Sequence, residues 1–453
     1  MSIELVQQYQ YIYINGELIN PALISKIELS AGIDSVLPTL QFAINDTRGD
    51  IWSTLHFGIG SDVRIALATT TDDNESMDAV VFANFCITRM YNGHEYGNST
   101  LGGYIQVWCE QAWKFYENYD DHAYEKQKLG KLIKEICSHT IKRAHVKVED
   151  DNFEESMDSG SIRYKLSCGD LDFITNTLLP VTLIGDSNSY FFLDQYGYAK
   201  LSSFEKLYKQ KPKCLITPQM DIVSDNANGI PEQLAAYMEN KNYKYYIPFE
   251  GNISNIGSRA NIDSMLNQIY EKLYLYDNQN QKSMIAWQVP ALKAGSSSAK
   301  LRQSNIPVMN SVLSTSDATS ANFFENYIIE DQIAFSRNND VSTNDIFATV
   351  IGIRGYDINL AVGNTLDLWI PYFKNVEVET NPDTGEDTRK QADNVSIHWL
   401  SGKWLISKVI IKHISATEVM TMIKIIRPTF VVNTKTTSLT DIRVFYDVEG
   451  TVI

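Results

Sequence analysis

Two runs near the end of the chain, Trp404-Leu-Ile-Ser-Lys-Val-Ile-Ile-Lys-His413 and Glu418-Val-Met-Thr-Met-Ile-Lys-Ile-Ile-Arg427, are dense in β-branched residues, a composition that predicts strands. A turn near Ser415-Ala416 joins them in a hairpin. Upstream, Phe347-Ala-Thr-Val-Ile-Gly-Ile-Arg354 and Asn359-Leu-Ala-Val-Gly-Asn-Thr-Leu-Asp-Leu-Trp-Ile370 read the same way, so 346–430 is expected to be an all-β unit. Within it, Glu379-Thr-Asn-Pro-Asp-Thr-Gly-Glu-Asp387 brings turn formers and charge, the composition of a solvent-facing tip.

The opposite end carries the same signature. Asn15-Gly16 between Tyr11-Ile-Tyr-Ile14 and Glu17-Leu-Ile19 supplies the positive φ angles of a two-residue hairpin turn. Leu40, Phe42 and Ile44 share one face at period two, as do Val63, Ile65 and Leu67 after the turn-like Gly58-Ile-Gly60-Ser-Asp62. Val80 to Thr88 and Tyr104 to Cys109 continue the series, with Asn92-Gly93 and Gly102-Gly103 as punctuation. An antiparallel barrel or sandwich over 1–115 is the expected product.

The middle changes period. From Lys128 to His139 the apolar residues Leu129, Leu132, Ile133, Ile136 and Cys137 lie on one helical face. A second helix is expected from Asp170 as N-cap through Leu171, Ile174 and Leu178, ending before Pro180. Tyr190-Phe-Phe-Leu193, the turn Asp194-Gln-Tyr-Gly197 and Tyr198-Ala-Lys-Leu201 form a further hairpin, so 116–214 reads as a small α+β unit. Residues 215–345 read as an irregular polar insertion, with a helical fragment at Ile262 to Tyr276 and a loop near 292–304. A tail, 431–453, completes the chain.

The chain has 453 residues, enough for about three domains. Its 44% hydrophobic and 21% charged content is that of a folded globular protein. With 39 Lys+Arg against 55 Asp+Glu, the net charge of −16 argues against sequence-specific nucleic-acid binding. Five cysteines, Cys86, Cys109, Cys137, Cys168 and Cys214, are widely spaced with no C-x-x-C pair, which points to a reducing cytoplasm as the place of folding. Neither an export signal at the start nor an apolar run of about 18 residues is found, so membrane insertion is not expected.

No catalytic, cofactor or metal site is expected. The sequence lacks G-x-S-x-G, H-E-x-x-H, Walker and dinucleotide motifs, and Gly58 and Gly60 read as a strand connection. Glu149-Asp-Asp-Asn-Phe-Glu-Glu155 offers carboxylates, but a continuous solvated run does not separate the pKa values that glycoside hydrolysis needs. The seven histidines, His56, His94, His122, His139, His145, His398 and His413, lack metal-ligand spacing. Asp72-Asp-Asn-Glu75 and the 379–387 tip lack the calcium-loop pattern. Tyrosine is abundant, 25 residues against 18 Phe and 7 Trp, a bias that fits protein interfaces as well as strand packing.

Several local patterns carry a family resemblance: Ser25-Lys-Ile-Glu-Leu-Ser-Ala-Gly-Ile-Asp34 with Pro38-Thr-Leu-Gln-Phe-Ala-Ile-Asn-Asp46, Lys128-Leu-Gly-Lys-Leu-Ile133, Leu171-Asp-Phe-Ile174 and Phe192-Leu-Asp-Gln-Tyr-Gly197. Asn359 to Leu368 and Trp404 to Ser415 extend it, and the order of units matches. The chain resembles the central baseplate hub protein of contractile phage tails, itself similar to the base of type VI secretion spike proteins. The resemblance implies an α+β, mainly β protein. Two tail-tube-like antiparallel β-barrel domains, 1–115 and 346–430, would be separated by the small α+β domain and the irregular insertion. It further implies a non-enzymatic virion component: a homotrimeric ring that adapts a sixfold tail tube above to a threefold spike below, beside neighbouring baseplate proteins. DNA would pass its acidic lumen without specific binding. Phe445 and Tyr446 in the tail are the expected spike-docking residues. The rival readings are a tail-tip carbohydrate-binding adaptor that uses the tyrosines, and a peptidoglycan hydrolase with acids such as Asp170 or Asp172 in 116–214.

Overall fold

The computed structural model describes residues 8–46, 51, 56–70, 77–96, 101–156, 162–182, 184, 189–219, 232–249, 254–255, 271–277, 282–288, 308–315, 347–373, 376–380, 387–391, 395–397, 400–415 and 418–427. The first β unit comprises β1 (Gln8–Ile14), β2 (Glu17–Leu18), β3 (Ile24–Gly32), β4 (Ser35–Asp46), β5 (Asp62–Thr70), β6 (Met77–Val81), β7 (Phe85–Tyr96) and β8 (Leu101–Gln111). The α+β unit follows with β9 (His122–Tyr124), α1 (Leu129–Ala144), β10 (Arg163–Lys165), α2 (Asp170–Phe173), β11 (Ser189–Leu193), β12 (Ala199–Ser203) and α3 (Phe204–Lys209). Next come β13 (Cys214–Pro218), α4 (Glu232–Lys241), β14 (Ile247–Phe249), β15 (Ser254–Asn255), β16 (Glu271–Asp277), β17 (Lys282–Gln288) and β18 (Val308–Thr315). The second β unit holds β19 (Phe347–Arg354), β20 (Thr365–Leu368), β21 (Pro371–Phe373), β22 (Val376–Thr380), β23 (Asp387–Gln391), β24 (Val395–Ile397), β25 (Gly402–Ser415) and β26 (Glu418–Arg427).

The protein is mainly β with few helices, and among the described residues fifteen strands form one mixed sheet that contains strands of both β units. Its main path is β14-β13-β20-β25-β3-β4-β8-β7-β5-β1-β2. The link between the units is β25, whose one edge is shared by two strands. Leu405 to Gly402 pair with Thr365 to Leu368, and Lys408 to Lys412 pair with Gly32 to Glu28. A bulge between Ile406 and Lys408 makes the change of partner, and bulges bend the strand that carries them. Ser407 O there accepts the Ile33 N–H at 2.8 Å. The other edge of β25 pairs with β26, which pairs with β19.

The apolar core is therefore continuous from Ile12, Leu29 and Phe42 to Trp404, Val409 and Ile425, all under 3% exposed. On the opposite face one row of side chains crosses seven strands in register: Arg354, Met420, Lys412, Glu28, Gln41, Trp108 and Arg89. A second core belongs to the α+β unit, where Leu129, Leu132, Ile133, Ile136 and Cys137 of α1 are all buried as their spacing predicts. Ser156 Oγ accepts the Gly130 N–H at 2.7 Å and caps this helix from outside it.

Both expected hairpins at the chain's ends form. Asn15 and Gly16 take φ +50° and +86° between β1 and β2, and β25 pairs with β26 out to Ser415 and Glu418. β11 and β12 likewise pair around Asp194 to Gly197.

Other expectations need correction. Asn92-Gly93 and Gly102-Gly103 lie inside β7 and β8 rather than between strands. Gly93 faces Tyr104, whose ring fills the space a Cβ would take, 2.5 Å from Cζ. The Val80–Thr88 strand breaks into β6 and β7 because Ala83 donates its N–H to Gln195 O at 2.8 Å, outside the ladder. In Asn359–Ile370 only Thr365–Leu368 is strand; turns hold the rest, with the Asn359 N–H on Asp357 Oδ1 at 2.7 Å and Gly363 at φ +83°. Asp170 is the first helical residue and Gly169 the cap; a π turn (Ile174–Leu178) and a 3-10 turn (Leu179–Val181) carry the helix through Pro180. Helix α1 continues beyond His139 to Ala144.

The 215–345 stretch gives β13 and β14 to the large sheet. Its expected helix at 262–276 is instead strand β16 from Glu271 onward, paired with β17 and β18. Residues 262–270, 292–304 and 428–453 lie outside the described residues. The 379–387 tip joins the paired strands β22 and β23.

Replacing Gly93 by Val should cost about 1–3 kcal/mol through displacement of the Tyr104 ring, and the companion change Tyr104→Ala should recover part of the loss in chemical denaturation.

Candidate functional site

Three sequence-distant segments meet at the tip of the β11–β12 hairpin. The turn is built by Asp194, 2% exposed, whose Oδ1 accepts the N–H groups of Tyr196 at 2.9 Å and Tyr198 at 3.0 Å. Lys200 Nζ lies 2.9 Å from Oδ2 and neutralises the buried charge. Gly197 closes the turn at φ +82°, a conformation that favours glycine.

The turn presents Gln195, fully buried, to the loop between β19 and β20. Its Nε2 donates to Tyr356 Oη at 3.0 Å and Leu360 O at 3.1 Å, while Oε1 accepts the Val362 N–H at 3.2 Å. Its backbone oxygen takes the Ala83 N–H from the β6–β7 connection. Beside it the Tyr196 ring stacks on Phe82 at 5.9 Å, and Phe82 meets Tyr356 at 5.5 Å. The hydroxyls of Tyr196 and Tyr356 hydrogen-bond to each other. Burial raises both phenol pKa values, so neither ionises near neutral pH. One residue thus fastens the α+β unit to both β units, its side chain to the second and its backbone oxygen to the first.

A second polar cluster lies on the other side of β20. Asp367 Oδ2, on a residue 5% exposed, accepts hydroxyls from Tyr243 at 2.8 Å and Tyr237 at 3.3 Å. Tyr245 donates to Asp357 Oδ2 at 3.1 Å and receives Asn359 Nδ2 at 2.9 Å; burial pushes its phenol up to about 12. These tyrosines tie α4 and the segment after it to the second β unit. Their hydroxyls are used inside the chain rather than along an open sugar-stacking groove.

The carboxylates weighed for catalysis are committed elsewhere. Asp170 is held 2.5 Å from Lys165 Nζ, which is 1% exposed on its side chain and also donates to Asn118 O at 2.5 Å. Asp172 is exposed on α2. Burial raises the pKa of half-buried Glu117, which sequence reasoning did not single out. Its carboxylate bonds the Leu171 backbone and lies where a Cβ on Gly169 would stand, so it serves as the missing cap of α2. The run 149–155 is not uniformly solvated: Glu154 Oε2 accepts the Ser203 N–H at 2.8 Å and Ser202 Oγ at 3.1 Å.

Among the described residues no group of three or more His, Cys, Asp or Glu could hold a metal ion, and no helix is long and apolar enough to cross a membrane. All five cysteines are free thiols; burial and Asp62 push Cys86 up to about 12, which removes nucleophilic thiolate. Phe445, Tyr446 and Asp72–Glu75 lie outside the described residues.

No protein-family model matches the chain, and no curated protein matches its sequence. Solved structures do share its architecture. The tail protein from Neisseria meningitidis MC58 aligns with a TM-score of 0.51 over 93% of this chain and 97% of that one, at 7% identity. The 43 kDa tail protein of prophage MuSo2 from Shewanella oneidensis aligns at 0.47 over 93% and 98%, at 10% identity. A chain of the half-lidded Francisella PdpA-VgrG complex aligns at 0.41 over 97% of this chain and 61% of that one, at 12% identity. The fold assignment rests on the first of these: the chain has a tail-protein fold. The resemblance to tail proteins read in the sequence is found again in the architecture, and at such identity no residue's role is transferred with it.

Gln195→Ala should lower stability by about 3 kcal/mol, because it strands the Leu360 carbonyl and the Val362 N–H in a dry site. Tyr196→Phe, which removes only the hydroxyl contact, should cost about 1 kcal/mol in the same urea titration.

Proposed function

We propose that this chain is the structural hub of a phage tail baseplate, a virion component folded in the host cytoplasm. The supporting observation is the single sheet in which β25 joins the two chain ends, within a fold shared with a tail protein. Each end acts as a tube-like barrel, 1–115 and 346–430. In the second, β14 pairs with β13 and the nearby β15 pairs with β19, so one short stretch meets both margins of its strand set. This favours a cylinder over an open sheet.

Three chains close a ring of six such barrels through heterologous contacts, which close when the rotation between copies allows it. The ring adapts a sixfold tube above to a threefold spike below and surrounds a channel through which DNA passes. Its interfaces cover strand edges that would otherwise invite aggregation. The 215–345 stretch faces neighbouring baseplate proteins, and the tail with Phe445 and Tyr446 reaches the spike. The protein performs no catalysis; the buried Asp170–Lys165 pair, the capping role of Glu117 and the hydrogen bonds of Glu154 to Ser202 and Ser203 support a structural use of its acids.

Electron microscopy and sedimentation of the purified full chain should show a threefold ring with a central hole. A compact monomer that hydrolyses cell-wall polymer, and loses that activity on Asp172→Asn, would overturn the reading.

A further inference from the structure

The face of the joined sheet opposite the core is open and basic. Register places six cations on it: Lys26, Arg89, Arg354, Lys408, Lys412 and Lys424. By the same register four carboxylates share it, Glu28, Glu95, Glu110 and Glu418, so its net charge is +2, and Lys412 with Glu28 at 3.5 Å and Arg354 with Glu418 at 3.9 Å pair within it. The whole chain carries −16, which leaves −18 for everything else. Ile414 and Tyr91 stand 53% and 51% exposed on the same face, with Met420, Met422 and Trp108 half-buried between the charges. Methionine, aromatic and arginine side chains are enriched at protein interfaces, and here they stand among the lysines of the face.

A matching surface exists on the α+β unit. Glu149, Asp150, Asp151 and Glu155 are exposed together, and although Lys134 and Lys128 answer Asp150 and Glu155, no ion pair among the described residues engages Glu149 or Asp151. We propose that the basic sheet face docks on the acidic 149–155 strip of a second copy of this chain. The inference rests on the ring reading above and names its contact. Basic face and acidic strip are different patches of one molecule, so the contact is heterologous and propagates around an axis. It also removes cations from the free surface and leaves an acidic exterior and channel. Charge pairs of this kind chiefly set register and association rate, and they weaken with salt.

The test uses the purified full chain. Lys26→Glu with Lys408→Glu, and separately Glu149→Lys with Asp151→Lys, should each weaken self-association about tenfold or more in sedimentation, with circular dichroism and melting unchanged. Combining all four changes should recover assembly. Wild-type rings that are indifferent to either reversal, or a fourfold swap that does not recover, would overturn the docking alone. A wild-type chain that never self-associates overturns the ring reading and the docking with it. Loss of duplex-DNA retention in the lysine variants with assembly intact would give the face to nucleic acid and overturn the proposal.

Discussion

One strand edge holds the molecule together. β25 offers its N-terminal third to β20 and, past the bulge at Ile406 to Lys408, its centre to β3. Backbone groups on a strand edge are obligatory hydrogen-bonding partners, so neither neighbour can leave without exposing a row of them. The close approach at the changeover depends on Gly32, where a Cβ would stand 3.3 Å from Ser407 O. Because the ladder continues across the changeover, the side chains beneath it merge into one core, and the two chain ends behave as one body.

The hairpin turn at Asp194 to Gly197 supplies the other constraint. Sheet pairing joins the two β units; the α+β unit joins them through Gln195, through the Ala83 N–H on its backbone oxygen, and through Tyr190, Phe192, Phe204 and Leu207 in the shared apolar core. Gln195 uses its carbonyl and amide in a dry pocket, where an unmatched polar group is costly and a matched one specifies a single arrangement. The Lys200 ion pair serves the same end by holding Asp194 Oδ2 while Oδ1 shapes the turn. Both constraints hold large elements in fixed relation.

Local signals were legible in the sequence, and long-range ones were not. Asn15-Gly16, the 404–427 hairpin and the α1 face depend on neighbours within a few residues, and they appear where the pattern puts them. The β3–β25 ladder joins residues nearly four hundred positions apart and leaves no mark in either strand. Gly93 illustrates the opposite trap: Asn-Gly signals a turn locally, but the glycine exists to admit the Tyr104 ring from the next strand. Asn359 to Gly363 has the apolar content of a strand, yet Asp357 and a positive φ at Gly363 impose turns, and its Leu360 and Val362 are buried as loop residues. Gln195 and Glu117 carried no motif at all, since a single amide or carboxylate becomes a clamp only when the fold brings its partners to it.

The claim that β25 makes both chain ends one rigid body is tested most directly by native-state hydrogen exchange on the full chain. The amides of Leu29 and Ile411 at the changeover should share one slow exchange class, near the global unfolding free energy, with Phe42 of the first unit and Ile423 of the second. Fast exchange at the changeover, or an opening of either end at much lower free energy than the other, would contradict it.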